Sequence, residues 1–178
     1  PLEQARLFTG QRTDALGTGD RSGVIGRDVK PANIIVDPRG RRVVLTDFGI
    51  ALTLEETRLT RPGTMFGSPI YIAPEQLEGD DVDHRADFYS LGSVLYQMLT
   101  GQPPYQAEMP VAILHQRISE PEKSVCDLKP DLPRAVDRLV QRLMARDPDQ
   151  RYKDAAEVLV ALRSLDEDDE EETQVEPE

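Results

Sequence analysis

Three clusters of charge-bearing residues are spaced along the first half of this 178-residue chain. The first is Gly26-Arg27-Asp28-Val29-Lys30-Pro31-Ala32-Asn33, the second Asp47-Phe48-Gly49. The third is Gly67-Ser68-Pro69-Ile70-Tyr71-Ile72-Ala73-Pro74-Glu75, and Asp87 comes twelve residues after Glu75. These segments carry carboxylates, an ammonium group, an amide and a hydroxyl, the groups that hold protons and hard cations. Taken singly, Asp28-x-Lys30 reads as a solvated pair and Asp47-Phe48-Gly49 as a turn around a permissive glycine. Thiol and imidazole chemistry has less support. Cys126 is the one cysteine, so neither an internal disulfide nor a thiolate cluster is available. It reads as a bland loop or core residue. His84 and His115 have no Ser or Cys nucleophile in a matching pattern and read as helix-surface residues.

Short strands and helices must position these groups. Residues 3–17 show a broken helical stripe (Leu2, Ala5, Leu7, Phe8) that ends near Gly17, Gly19 and Asp20. Val24-Ile25 and Ile34-Ile35-Val36 are β-branched runs, and the turn signal Asp37-Pro38-Arg39-Gly40 leads to Val43-Val44-Leu45, which together read as a hairpin. Residues 48–72 have no sustained period and read as a long loop, a length that is usually functional or disordered. The helical period returns after Asp83, an expected N-cap. Phe88, Leu91, Leu95, Met98 and Leu99 share one face, Val94 and Tyr96 fill others, and Gly101 closes the helix, which is therefore expected to be buried. Further helices are expected over 108–118 (Val111, Ile113, Leu114 and Ile118 inward) and 132–144 (Val136, Leu139, Val140 and Leu143 inward). Asp147-Pro148-Asp149 stops the second of these. A last helix over 153–165 is expected to turn Ala156, Leu159, Val160 and Leu162 inward.

Composition bounds the partners. The net charge is −12, but residues 166–178 hold nine acids and no base, and the remaining 165 residues carry 24 acids against 21 bases. The acidity belongs to a tail with too few apolar groups to offset its ordering entropy, so 166–178 is expected to be disordered. The nearly neutral body gives no nucleic-acid footprint. No apolar run of about 18 residues spans a membrane, and no signal segment opens the chain. A cytoplasmic setting is the natural reading. The chain opens on Pro1, which suggests a fragment or a processed product.

The order and spacing of the clusters resemble the catalytic loop (26–33), metal loop (47–49) and activation segment (47–75) of protein kinases. The resemblance runs from about residue 2 to 165, and Asp28-x-Lys30 is the serine/threonine pattern. Asp47-Phe48-Gly49-Ile50-Ala51 and Ala73-Pro74-Glu75-Gln76 resemble the bacterial, eukaryotic-like class. The implied fold is mainly α: a kinase C-terminal lobe over 1–165, helical, with small antiparallel β hairpins around the catalytic loop. The resemblance implies transfer of the ATP γ-phosphate to Ser or Thr of proteins, a reaction governed by positioning and charge neutralisation. Asp28 would accept or orient the substrate hydroxyl proton, and Lys30 would face the transferring phosphate. Asn33 and Asp47 would hold Mg²⁺ through hard oxygen donors, and Ile35 would lie beneath the adenine of ATP. Ser68 stands where the family has a hydroxyl that contacts the catalytic Asp and Lys, making it part of the substrate platform. Thr64 matches an activating phosphorylation site whose phosphate would pair with Arg27. Thr53, Thr57 and Thr60 are weaker candidates. Glu75 and Arg151 would form a structural ion pair, and Asp87 would anchor the catalytic-loop backbone.

The chain also departs from that pattern. A complete kinase domain needs about 250 residues or more. No Gly-rich loop, strand lysine or partner glutamate occurs, so the N-terminal lobe that clamps ATP is expected to be absent. An apolar face is expected where that lobe, or another chain, would pack. Gly26 replaces the family's usual His and would leave a cavity. Arg12, Thr18, Gly19 and Asp20 stand where the family's helix is apolar. Three readings therefore stay open: a partial kinase catalytic domain, inactive alone; a pseudokinase-like binding or regulatory module; and a degenerate remnant.

Overall fold

Ile34–Val36 (β1) and Val43–Leu45 (β2) form an antiparallel pair with Ile34 opposite Leu45, Ile35 opposite Val44 and Val36 opposite Val43. The computed structural model describes residues 9–10, 34–36, 43–45, 69–79 and 81–172, with backbone alone for both strands, Pro69, Pro110 and residues 166–172. Of the helical stripe over 3–17, Thr9 and Gly10 are helical and Thr9 is buried. Val24-Ile25 lies outside the described residues. Within the stretch expected as a long loop, Pro69–Tyr71 forms a 3-10 turn, and residues 48–68 lie outside the described residues.

Six α-helices follow among the described residues. α1 (Pro74–Glu78) starts on a proline, whose missing N–H costs nothing there, and stops at Gly79 with φ 81°. α2 (Arg85–Thr100) is the central helix. Its cap differs slightly from expectation: His84 takes the position before the first turn, while the Asp83 carboxylate accepts the Arg85 N–H at 2.8 Å. Gly101 ends it with φ 81°, donating its N–H to Gln97 O at 2.8 Å. Residues Ala86 to Tyr96 and Leu99 are all buried, as a helix apolar on every side requires.

α3 (Pro110–Ser119) reverses part of its expected face. Val111 is 66 % exposed, whereas Arg117 is 2 % exposed. α4 (Val125–Leu128) is a single turn that the periodicity did not reveal; the Ser124 hydroxyl caps it by accepting the Cys126 N–H at 3.1 Å. α5 (Arg134–Leu143) buries Val136, Leu139, Val140 and Leu143. A 3-10 turn at Pro148–Gln150 follows it, with the Asp147 carboxylate accepting the Asp149 N–H at 2.9 Å.

α6 (Ala155–Glu172) corrects two expectations. Its buried stripe is Ala155, Val158, Leu162 and Leu165, while Val160 is 61 % exposed and Ala156 faces solvent. Spacings of three and four select one stripe, and the sequence 155–162 offers more apolar residues than one stripe holds. The helix also continues past residue 165 into the acidic stretch. No Gly or Pro interrupts it before Glu172, and Glu is a good helix former.

The core joins these helices around α2. α5 packs on α2 so closely that Gly92 faces Leu143 and Met144 without room for a side chain. α4 fills the angle between α2 and α5, and α6 covers the other side of α5. The 3-10 turn at Pro69–Tyr71 lies between α2 and α3. His84 places its ring edge-on to Phe88 and bonds Lys153 O at 2.8 Å, so it helps join α2 to the segment before α6. His115 is exposed, and Cys126 is buried with Sγ 3.4 Å from Leu132 O.

Candidate functional site

Segment 70–73 leads from the 3-10 turn into α1, and each of its four carbonyls has a partner. Arg117 donates Nη2–H to Ile70 O and Nη1–H to Ile72 O. Ser90 Oγ donates to Tyr71 O at 2.7 Å, and Gln76 N–H to Ala73 O at 3.1 Å. Gln76 Oε1 in turn accepts the Ala73 N–H at 3.0 Å. Tyr71 donates its phenol to Gln97 Oε1 at 2.5 Å, fixing the turn to the C-terminal half of α2. A segment held on every carbonyl has one backbone shape, which is what a recognition platform needs.

Two buried arginines support this segment. Arg151 follows the 3-10 turn at Pro148–Gln150 and meets Glu75 in a bidentate pair, with Nη1 and Nη2 each 2.7 Å from a carboxylate oxygen. Its other three donors reach Ala145 O at 2.7 Å, Arg85 O at 3.0 Å and Arg146 O at 3.1 Å. All five guanidinium N–H groups are thus satisfied. The pair ties α1, the start of α2 and the end of α5 together. Such a pair holds geometry more than it adds net stability, because desolvation offsets its attraction.

Arg117 approaches from α3. Its guanidinium lies 5.4 Å from the Tyr89 ring centroid and 5.6 Å from that of Tyr105, while Arg151 covers Tyr89 at 5.0 Å. Tyr89 therefore carries both cations. Burial pushes its phenol up to about 12, even with Arg117 beside it, so it stays neutral and presents its ring face. Burial raises the Tyr105 phenol too and pulls the Arg117 guanidinium below its ordinary value. Tyr105 donates its hydroxyl to Glu120 O at 3.1 Å and lies 3.4 Å from Glu122 Oε2. On the surface, Arg85 bridges Asp83 and Asp149, at 2.8 and 2.6 Å, which fastens α2 to the turn that carries Arg151.

The remaining residues singled out from the sequence are placed as follows. Asp87 is buried in the first turn of α2. Ile35 sits mid-strand opposite Val44. The chain enters β1 at Ile34 and leaves β2 at Leu45, so both connections run from one end of the hairpin; in sequence they begin with Asn33 and with Thr46-Asp47. Gly26, Arg27, Asp28, Lys30, Asn33, Asp47, Thr64 and Ser68 lie outside the described residues. Sequence reasoning missed Arg117, Tyr89 and Tyr105. The available signal was the spacing of Ile113 and Arg117, four apart on one helical face with Ile113 buried. Among the described residues no helix is long and apolar enough to cross a membrane.

Comparison with known proteins agrees with this architecture. The protein kinase domain family matches residues 2–161. The serine/threonine-protein kinase PknB of Mycolicibacterium smegmatis is 41 % identical over 154 residues, covering 83 % of this chain and 24 % of that protein. PknB of Mycobacterium leprae is 37 % identical over 163 residues, covering 91 % of this chain and 26 % of that one. This chain thus spans about a quarter of the length of these curated relatives. The crystal structure of the Mycobacterium tuberculosis PknI kinase domain superposes with a TM-score of 0.69 at 27 % identity, over 92 % of this chain and 55 % of that one. Protein kinases as a family use ATP and Mg²⁺. The match over nearly the whole chain, joined to a helical body around a buried central helix, shows that the chain belongs to the protein kinase domain family.

Proposed function

We propose that this chain is the C-terminal lobe of a protein serine/threonine kinase, active when joined to an ATP-binding N-terminal lobe and inactive as these 178 residues alone. The observation that carries the reading is the fixed segment 70–73, with a partner on each carbonyl, which begins two residues after Ser68. In this reading Ser68 contacts Asp28 and Lys30, and the segment receives a protein substrate. Asp28 orients the Ser or Thr hydroxyl and accepts its proton, while Lys30 neutralises the phosphoryl oxygens. Asn33 and Asp47 supply the oxygen donors Mg²⁺ prefers, and the hairpin register supports their joint use, since in sequence they come one residue before Ile34 and two after Leu45, which are paired. Bound Mg-ATP supplies the phosphoryl group and screens its charge. Thr64, once phosphorylated, pairs with Arg27 and orders the activation segment. The setting is cytoplasmic.

Gly26, where the family usually has His, favours a second reading as a pseudokinase-like binding module. Phosphorylation of a Ser/Thr protein by the assembled kinase separates the two. Asp28→Asn is expected to reduce that rate about 100-fold or more, since a positioned base contributes about 10²–10⁴. An assembled kinase that binds Mg-ATP but transfers nothing would favour the binding module.

A further inference from the structure

Arg117 is an unusual use of charge. It is 2 % exposed, yet among the described residues no carboxylate pairs with it. Its cation meets two carbonyl oxygens, of Ile70 and Ile72, and two tyrosine rings. Among the described residues its Nε–H has no hydrogen-bond partner. Burying a cation this way is costly, and an apolar side chain of equal length would fill the space with less penalty. Stability alone therefore does not explain it. What an apolar residue could not do is grip two alternate carbonyls of one segment. A guanidinium fork spans that spacing with one nitrogen per carbonyl; an ammonium is a point charge and does not.

The two gripped residues stand on either side of Tyr71, whose own carbonyl and phenol are fixed by Ser90 and Gln97 from α2. Arg117 adds the hold from α3, so the turn is clamped from two helices. We propose that Arg117 is a positioning residue for protein-substrate recognition, setting the backbone shape of Ile70–Ile72 from α3 through its carbonyl pair. It touches no reacting atom. The proposal rests on the kinase reading of segment 70–73 and adds the residue that shapes it. Met109 and Val111, both 66 % exposed at the start of α3, leave the other end of this helix free of the core.

The test uses three forms of the full chain: wild type, Arg117→Met and Arg117→Lys. Hydrogen exchange followed by mass spectrometry reads the amides of 69–78. Arg117→Met is expected to keep the helical circular-dichroism signal and melting temperature near those of the wild type. Exchange in 69–78 should rise about tenfold or more, while exchange in α5 stays unchanged, as local opening without global unfolding requires. Arg117→Lys should fall between the two. In the assembled kinase, Arg117→Met should raise KM for a protein substrate about tenfold and leave kcat and KM for ATP within about twofold, the pattern of lost substrate positioning. Unchanged exchange in 69–78 overturns the proposal whatever the kinetics. A uniform rise in exchange with a lowered melting temperature also overturns it, because that marks a purely structural residue. A fall in kcat with KM unchanged overturns the substrate role. Should the wild-type assembly transfer no phosphate, the kinase reading and the substrate role fail together, and the exchange result still decides whether Arg117 shapes the segment.

Discussion

Glu75 and Arg151 bond through both carboxylate oxygens, and Arg151 spends its other donors on three carbonyls. Arg151→Ala strands a buried carboxylate and frees those carbonyls. The expected loss is about 3–5 kcal/mol in urea unfolding; a loss under about 1 kcal/mol would show that the pair is not structural. Glu122 offers a pH test. Burial raises its carboxyl above the ordinary 4.5, and the negative charge of Asp137 adds to the rise. A carboxyl with a raised folded pKa holds more protons folded than unfolded. It favours the fold most below 4.5, and that contribution is lost as pH climbs through the raised value. Glu122→Gln, which can still accept from Tyr105, is therefore expected to melt higher than the wild type at pH 7. The gap should close below about pH 4. A gap independent of pH would contradict the assignment.

Among the elements, α2 and α5 were legible because their patterns admit one answer. Val136, Leu139, Val140 and Leu143 fall on a single stripe, and Leu91 to Leu99 is apolar on all sides. α3 and α6 were half legible. In α6 the residues 155–162 hold more apolar side chains than a stripe can bury, so the outward position of Val160 depends on where α5 lies. In α3 a periodicity argument discards Arg117 as polar, although its partners are carbonyls that lie 45 and 47 residues earlier in the chain. No local pattern encodes such a contact. Of the site, the motif order gave the kinase likeness and the Glu75–Arg151 candidates, while the tyrosine and arginine stack beneath the segment left only the four-residue spacing of Ile113 and Arg117. Gly92 tests the closeness of α2 to α5. A Cβ there would come within 2.7 Å of Met144 Cγ and 2.8 Å of Leu143 Cβ. Gly92→Ala gains about 1 kcal/mol of helix propensity but overpacks the contact at about 1–3 kcal/mol. A net loss in urea unfolding is expected; a gain would mean the helices separate freely.

At the scale of the whole molecule, charge and family divide the chain differently. Thirteen C-terminal residues, 166–178, hold nine of the 33 acids, and the family match ends at residue 161. The kinase likeness thus belongs to a nearly neutral helical body, and the acidic end adds charge beyond it. By the proposed reading that body supplies a clamped segment for protein substrates, the base and the Mg²⁺ donors. The ATP clamp is the part that the reading assigns to a second lobe. The most direct measurement is transfer of radiolabelled phosphate from Mg-ATP to a Ser/Thr protein substrate, by the 178-residue chain alone and by the chain joined to an N-terminal kinase lobe. The expected result is no transfer alone, transfer when joined, and loss of that transfer with Asp28→Asn. Transfer by the chain alone, or joined transfer that survives Asp28→Asn, would contradict it.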